Sequence, residues 1–338
     1  MATPAVALPP PDERLGPLAW AQRNLFDGWL NSALTIGAAV VLGWSAAAIW
    51  RWTAAAHWEV VTNNLRFWMV GLLPPGQVWR AWWAAGLIIA SAALTAIGAR
   101  ARVRPRVLVG LWGGVAVAVV WLFSPIRLDQ IGGLSLTLLL AIVAISASFP
   151  IGVVVGIGRT SQLLVVRLFS TAYIEGVRGI PLIAVLLWFS IFVSLLSGET
   201  MPRVARAMIG MTVFASAYVG EIMRAGIQSV PRGQAEAARA LGLSGWKTML
   251  FIVLPQAFKN MIPALVGQFI SLFKDTSLVV IIGLSDLLGV GRSLLALTDY
   301  IPDVKEVYVF ALVVYFVFSY GMSAGSRALE KRLGLGER

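Results

Sequence analysis

The sequence predicts an all-α polytopic membrane protein with about eight spanning helices. Three observations predict it. Of 338 residues, 58% are hydrophobic and only 13% are charged, against roughly 25% charged in an ordinary soluble domain. The mean hydropathy is +0.81. The apolar residues fall in runs of about 17 to 25, the length that crosses the hydrocarbon core.

These runs lie near 31–50, 81–99, 107–124, 132–157, 180–197, 204–223, 249–273 and 306–324. The stretch Ser277 to Ile282, bracketed by Asp275 and Asp286, is apolar but too short to cross. It reads as a re-entrant or interfacial piece. Residues 1–28 form a Pro-rich polar tail with Asp12, Glu13, Arg14 and Arg23, and they lack the charged, apolar and small-residue succession of a secretory signal.

Eight spans place both termini on one side, and charge selects it. Seventeen of the 27 Lys and Arg residues lie in the two tails and in alternate loops around Arg100–Arg106, Arg159–Arg178 and Arg224–Lys247. Nine lie in the opposite set: Arg51, Arg66, Arg80, Arg127, Arg203, Arg206, Lys274, Arg292 and Lys305. Lys259 falls within a span. The richer set is cytoplasmic by the positive-inside rule, so N- and C-termini are expected in the cytoplasm. The net charge of +11 therefore reads as a topology signal rather than a nucleic-acid footprint.

Composition also shifts along the chain, because 12 of the 14 tryptophans lie between Trp20 and Trp121. Residues 29–125 read as a three-span, Trp-rich N-terminal module. Trp50, Trp52, Trp58, Trp68, Trp79, Trp82 and Trp83 border its first outer loop, as in an interfacial aromatic belt. His57 reads there as an ordinary loop residue. With no cysteine and one histidine, disulfides, thiolate nucleophiles and the common Cys/His metal sites are excluded.

The segment 224–248 carries the most specific signal. Pro231 suits a helix start, Gln234-Ala235-Glu236-Ala237-Ala238-Arg239-Ala240-Leu241 has high helix propensity, and Gly242 is placed as a stop. The expected short helix between two spans is thin at its alanines, with Glu236 and Arg239 as polar handles. It suits docking into a groove.

Glu236-Ala237-Ala238, Gly242 and Ile252-Val253-Leu254-Pro255 also resemble, at the same spacing, the EAA loop of ABC importer membrane subunits. From Gly132 onward the chain resembles the permeases of polar amino-acid importers. Tyr173-Ile-Glu-Gly-Val-Arg-Gly-Ile-Pro181, Ala217-Tyr-Val-Gly-Glu-Ile-Met-Arg224 and Leu272-Phe-Lys-Asp-Thr-Ser-Leu278 carry that likeness over about 60% of the chain. With three added N-terminal spans it looks most like the M-type permease of general L-amino-acid importers. It departs from the family at Ile180, where Thr is usual, and at Gly220, where Ala is usual.

The resemblance implies a type I importer core over 132–325, a cytoplasmic tail over 326–338, and a multi-pass place in the bacterial inner membrane. It implies a homologous second permease subunit that forms a heterodimer with this chain, two ATP-binding subunits docking at 234–242, and a periplasmic solute-binding protein. The chain is expected to bind lipid, no nucleic acid and no cofactor, with ATP and Mg on the ATPase subunits. Candidates for the substrate path or gate are Glu175, Arg178, Glu221, Lys274, Asp275 and Thr276, ionisable or polar groups that cost several kcal/mol at membrane depth unless paired or hydrated.

Two other classes remain in view. An ion-coupled secondary transporter needs no docking helix. A polytopic enzyme using carboxylates has Glu175, Glu221 and Asp275 available, but no nucleophile or metal set. Gly242-Leu-Ser-Gly-Trp-Lys-Thr248 lacks the Gly-Lys-Ser/Thr end of a phosphate loop, and Gly289-Val-Gly-Arg-Ser-Leu294 lacks the third glycine of a dinucleotide site.

Overall fold

The computed structural model describes residues 16–100, 105–197 and 201–332. Arg102, Arg104, the first 15 residues of the expected tail and the last six of the C-terminal tail lie outside the described residues. Every regular element among those described is helical. The helices are α1 (Pro17–Leu25), α2 (Trp29–Ala55), α3 (Glu59–Thr62), α4 (Leu65–Val70), α5 (Val78–Arg100), α6 (Pro105–Phe123), α7 (Gly133–Arg159) and α8 (Leu164–Arg178). They continue with α9 (Leu182–Ser197), α10 (Arg203–Gln228), α11 (Arg232–Ala240), α12 (Gly245–Thr248), α13 (Leu254–Asp275), α14 (Leu287–Leu295) and α15 (Val304–Arg332).

Each of the eight expected apolar runs carries a helix. Five helical stretches among the described residues are long and apolar enough to cross a membrane, or six if α8 and α9, bent by 100°, count as one broken span. The 26-residue α10 is long enough to cross, but its many small residues and its Arg and Glu side chains keep it outside that set.

Packing separates residues up to His57 from Trp58 onward, rather than dividing the chain near residue 125. In the first unit α1, inside the stretch expected as a tail, is tied to α2 by a hydrogen bond from Thr35 Oγ1 to the Leu25 carbonyl, 2.7 Å. In the second unit, Val70, Ala81, Val119 and Phe123 share one apolar core with Leu136, Leu140, Met211 and Val279. The second and third expected spans are thus built into the same core as the later helices.

The centre of that unit is the α7–α10 pair. Along α7 the inward positions shrink from Leu136 and Leu140 through Ala144 and Ser148 to Gly152 and Gly156, all buried, a stripe repeating every four residues on one helix face. A methyl group at Gly152 would lie 2.5 Å from Val219 Cβ, and one at Gly156 would lie 2.5 Å from the Gly220 carbonyl oxygen. Small residues here let two backbones approach in a medium where dispersion and close fit drive helix association. Gly226 meets Ala257 in the same way, its Cβ position 3.1 Å from the Ala257 carbonyl oxygen, which sets α13 against α10.

After α13 the chain tightens into a 3-10 turn, Thr276–Ile282, and reverses at Gly283 with φ +78°. The expected short non-crossing piece is this segment. Gly133 N–H donates to the Ser285 carbonyl at 2.8 Å, and Leu287 N–H donates to Thr137 Oγ1 at 3.0 Å. The reversal is thereby fastened to the start of α7.

The Trp cluster divides. Trp50, Trp79, Trp82 and Trp83 are exposed, as a belt requires, but Trp68 is completely buried. It fills a core with Leu287, Val290 and Val307, meeting Phe310 edge-on at 4.8 Å.

Candidate functional site

The short helix expected between two spans is present as α11. Pro231 precedes its first turn in an extended conformation, and the Gln234 N–H donates to the Pro231 carbonyl at 3.0 Å. At its other end Gly242 has φ +82°. Gly242 N–H donates to the Arg239 carbonyl at 2.9 Å and Leu243 N–H to the Ala238 carbonyl at 3.1 Å, the paired bonds of a Schellman stop. Gly is suited to Gly242 because the left-handed region carries a Cβ penalty for other residues.

Side-chain placement on α11 follows its three-residue spacing. Ala238 is buried, and Ala235 packs against the cluster of Val230, Val253, Leu254 and Ala257. Gln234, Glu236, Ala237, Arg239, Leu241 and Gly242 face outward. Leu241 is 84% exposed and Trp246 68% exposed, so an apolar patch flanks the polar handles. Met249–Val253 winds as a π-helix into Leu254 and Pro255. A proline there lacks the N–H that would continue a regular ladder, and the wider turn absorbs the mismatch.

The six path or gate candidates do not form one group. Glu175, Arg178 and Glu221 come together near the α11 end of the bundle, joined by Arg159 and Arg224. Arg159 Nη1 donates to Glu221 Oε2 at 2.8 Å and Nη2 to Glu175 Oε1 at 2.6 Å. Arg224 grips Glu221 with two bonds, Nη2 to Oε1 at 2.6 Å and Nε to Oε2 at 3.0 Å, and also donates to Gln228. Arg178 lies 3.7 Å from Glu221 and covers the Tyr218 ring at 5.2 Å. The Glu221–Arg224 pair expected from helix spacing is therefore one edge of a larger cluster.

Lys274, Asp275 and Thr276 sit at the far end of α13. From the Gly226–Ala257 contact, Asp275 is eighteen residues outward along α13 and Glu221 five residues outward along α10. At 1.5 Å per residue the two carboxylates are about 20 Å apart along the bundle. The structure does not bring Asp275 to Glu175 or Glu221. Thr276 is buried, with Oγ1 donating to the Phe273 carbonyl at 2.7 Å, while Lys274 is exposed and Asp275 half-buried.

Two features of this cluster escaped the sequence reading. α8 lies in a stretch expected as loop, because Arg167, Glu175 and Arg178 leave it without a continuous apolar run; its amphipathic spacing was the available signal. Arg159 counts in sequence as one topology charge among several, and only the crossing of three helices reveals its two partners.

Residues 148–335 match the family described as binding-protein-dependent transport system inner membrane component. The chain belongs to that family. It is a multi-pass inner-membrane transport subunit and not an enzyme. Over 94% of both chains it is 36% identical to the inner membrane amino-acid ABC transporter permease protein YhdY of Escherichia coli K12. It is 35% identical to the glutamate/glutamine/aspartate/asparagine transport system permease protein BztC of Rhodobacter capsulatus, over 79% of this chain and 67% of that one. A crystal structure of an amino acid ABC transporter with histidines superposes with a TM-score of 0.55 at 33% identity, covering 59% of this chain and 92% of the other. The relation to YhdY includes the Trp-rich N-terminal region of this permease.

Proposed function

We propose that this chain is the permease subunit of an ATP-driven amino-acid importer and that α11 is its contact with the ATPase. The observation that carries this reading is α11 itself: a helix with Ala235 and Ala238 turned inward, Glu236 and Arg239 turned outward, and a Gly242 stop beside exposed Leu241 and Trp246. The named relatives are amino-acid permeases, which supports the substrate class.

In this reading the core from Gly132 to residue 325 pairs with a homologous second permease around the translocation path, and 29–125 is added to it. Two ATP-binding subunits hold ATP and Mg, none of it on this chain. α11 and both termini are cytoplasmic, and a solute-binding protein delivers substrate to the opposite face. Nucleotide closure pushes α11 and biases the bundle between outward and inward openings. Lys274 and Asp275 line the outer part of the path, where a carboxylate and an ammonium answer the two charges of an amino acid, and Thr276, buried beside them, belongs to the gate. Glu175, Arg178 and Glu221 belong to its inner gate.

The test is uptake by the complex reconstituted in vesicles with its copurified partners and binding protein. Amino-acid accumulation that requires ATP and persists without an ion gradient is expected. Accumulation driven by an ion gradient without ATP would establish a secondary transporter instead.

A further inference from the structure

Arg159 ends α7 with its guanidinium between carboxylates of two other helices, Glu175 of α8 and Glu221 of α10. Its side chain is only 18% exposed. α8 is also tied to α10 at Tyr173, whose hydroxyl donates to the Val213 carbonyl at 3.0 Å and meets Ser216 Oγ at 2.6 Å, but much of its surface is open. Ser170 and Ile174 are its only fully buried residues, while Leu164, Val165, Leu168 and Phe169 are exposed. Ionic ties to α8 among the described residues are Arg159–Glu175 at 2.6 Å and the longer Arg178–Glu221 at 3.7 Å.

One end of this tie leads to the α8–α9 bend and the other toward α11. On one side α8 turns by 100° into α9, across Gly179, Ile180 and Pro181. A shift of the Glu175 end of α8 therefore swings the apolar helix α9. On the other side Glu221 is fixed by two bonds from Arg224, Arg224 reaches Gln228 at the end of α10, and α11 begins four residues later. The route from α11 to the α8–α9 elbow runs along the short backbone connection to Gln228 and then through Arg224, Glu221, Arg159 and Glu175, side chains already in contact.

We propose that Arg159 is a positioning residue that couples the movement of α11 to the α8–α9 elbow by bridging Glu221 and Glu175 in one transport state and releasing Glu175 in the other. This rests on the coupling role of α11 given above and adds to it the element that receives the motion. A guanidinium suits the task because its planar fork serves two carboxylates at once, whereas an ammonium is a single point charge. Release is feasible because Glu175 is 61% exposed, so water takes over its hydration, while Glu221 keeps Arg224.

The experiment compares ATP hydrolysed with amino acid carried by the reconstituted complex for the wild type, Arg159→Gln, Arg159→Lys, Glu175→Gln and Gly242→Asp. With Arg159→Gln and Glu175→Gln the solute carried per ATP falls by about tenfold, within the usual range of coupling between sites, while hydrolysis continues. Arg159→Lys gives an intermediate ratio. A merely structural role would lower assembly and hydrolysis together and leave the ratio unchanged. If Arg159→Gln does not assemble, Glu175→Gln decides, since removing an exposed carboxylate leaves no newly buried charge. A wild-type ratio in Arg159→Gln, or in Glu175→Gln where it decides, overturns the proposal whatever Gly242→Asp does. A wild-type ratio in Gly242→Asp beside a lowered one in Arg159→Gln overturns the ATPase contact at α11 and leaves the bridging role of Arg159 standing.

Discussion

The indole of Trp68 lies directly on Gly291. A methyl group at 291 would fall 2.7 Å from Trp68 Cη2 and 2.8 Å from Val307 Cγ1. The backbone of the same segment is equally close to α7, since a methyl at Gly133 would lie 2.3 Å from the Trp68 carbonyl oxygen. Trp68 thus joins the short helix α4 to α14, α15 and the start of α7.

Gly291→Ala is expected to destabilise the chain by about 1–3 kcal/mol through overpacking, and Trp68→Ala by about 3–5 kcal/mol through loss of a large buried ring. Combined, the two should cost clearly less than their sum, because the cavity left by the indole accepts the new methyl. Unfolding of the purified variants in detergent measures this. Additive losses would mean that the indole and the glycine do not share a contact.

Sequence and structure agree where a local rule is sufficient. The α11 helix and its Gly242 stop follow from propensity and a left-handed glycine, and the short turn after Asp275 follows from its length. Trp68 is different. Its neighbours in sequence are interfacial tryptophans, and only Gly133 and Gly291, more than sixty and two hundred residues away, create the space that buries it. The same holds for Arg159, whose role depends on α7, α8 and α10 crossing at one place. The expected division near residue 125 rests on composition, whereas Ala81, Val119 and Phe123 pack with Leu136 and Leu140 regardless of how Trp-rich their surroundings are.

Glu236→Lys and Gly242→Asp should leave the permease inserted and the fold of the bundle intact, because both positions are exposed. Glu236→Lys reverses an outward charge. Gly242→Asp places a side chain in the left-handed region, a strain of roughly 1–2 kcal/mol, and adds charge beside Leu241. Uptake is expected to fall by about tenfold or more at equal expression, on the scale of site-to-site coupling, with ATP hydrolysis less affected. Wild-type uptake by both variants would place the ATPase contact elsewhere.

Asp275→Asn tests the outer part of the path. Asp275 is half-buried at the end of α13, about 20 Å along the bundle from Glu221 by helix rise. The substitution should lower transport with little effect on insertion or on ATPase docking. Cysteines at 275 and at 221 should react with aqueous reagents in opposite nucleotide states, as two levels of an alternating path require. Equal reactivity in every state, with normal transport by Asp275→Asn, would assign Asp275 a structural role.

Asp286 supplies a pH signature for the fold. It caps α14, accepting from the Gly289 N–H through Oδ1 at 2.9 Å, and its Oδ2 accepts from the Tyr315 hydroxyl at 3.0 Å. It lies between spanning segments and is fully buried. Burial pushes its carboxyl up from 3.8 to about 6, against the lowering effect of those hydrogen bonds. Between these two values the folded chain retains a proton that the unfolded chain has released, so the contribution of Asp286 to stability falls as pH rises through this window and is constant above it. The loss amounts to about 3 kcal/mol. Asp286→Asn keeps a good N-cap acceptor without the charge. The melting temperature of the variant should therefore lose the wild-type decline between pH 4 and pH 6, ranges set by the folded and unfolded carboxyl, and should equal or exceed the wild type at pH 7.5, a value about a unit and a half above the folded carboxyl. A variant that melts well below wild type at that pH would show that the ionised carboxylate is the form the fold requires, and one that keeps the full decline would show that the pH dependence arises from other groups.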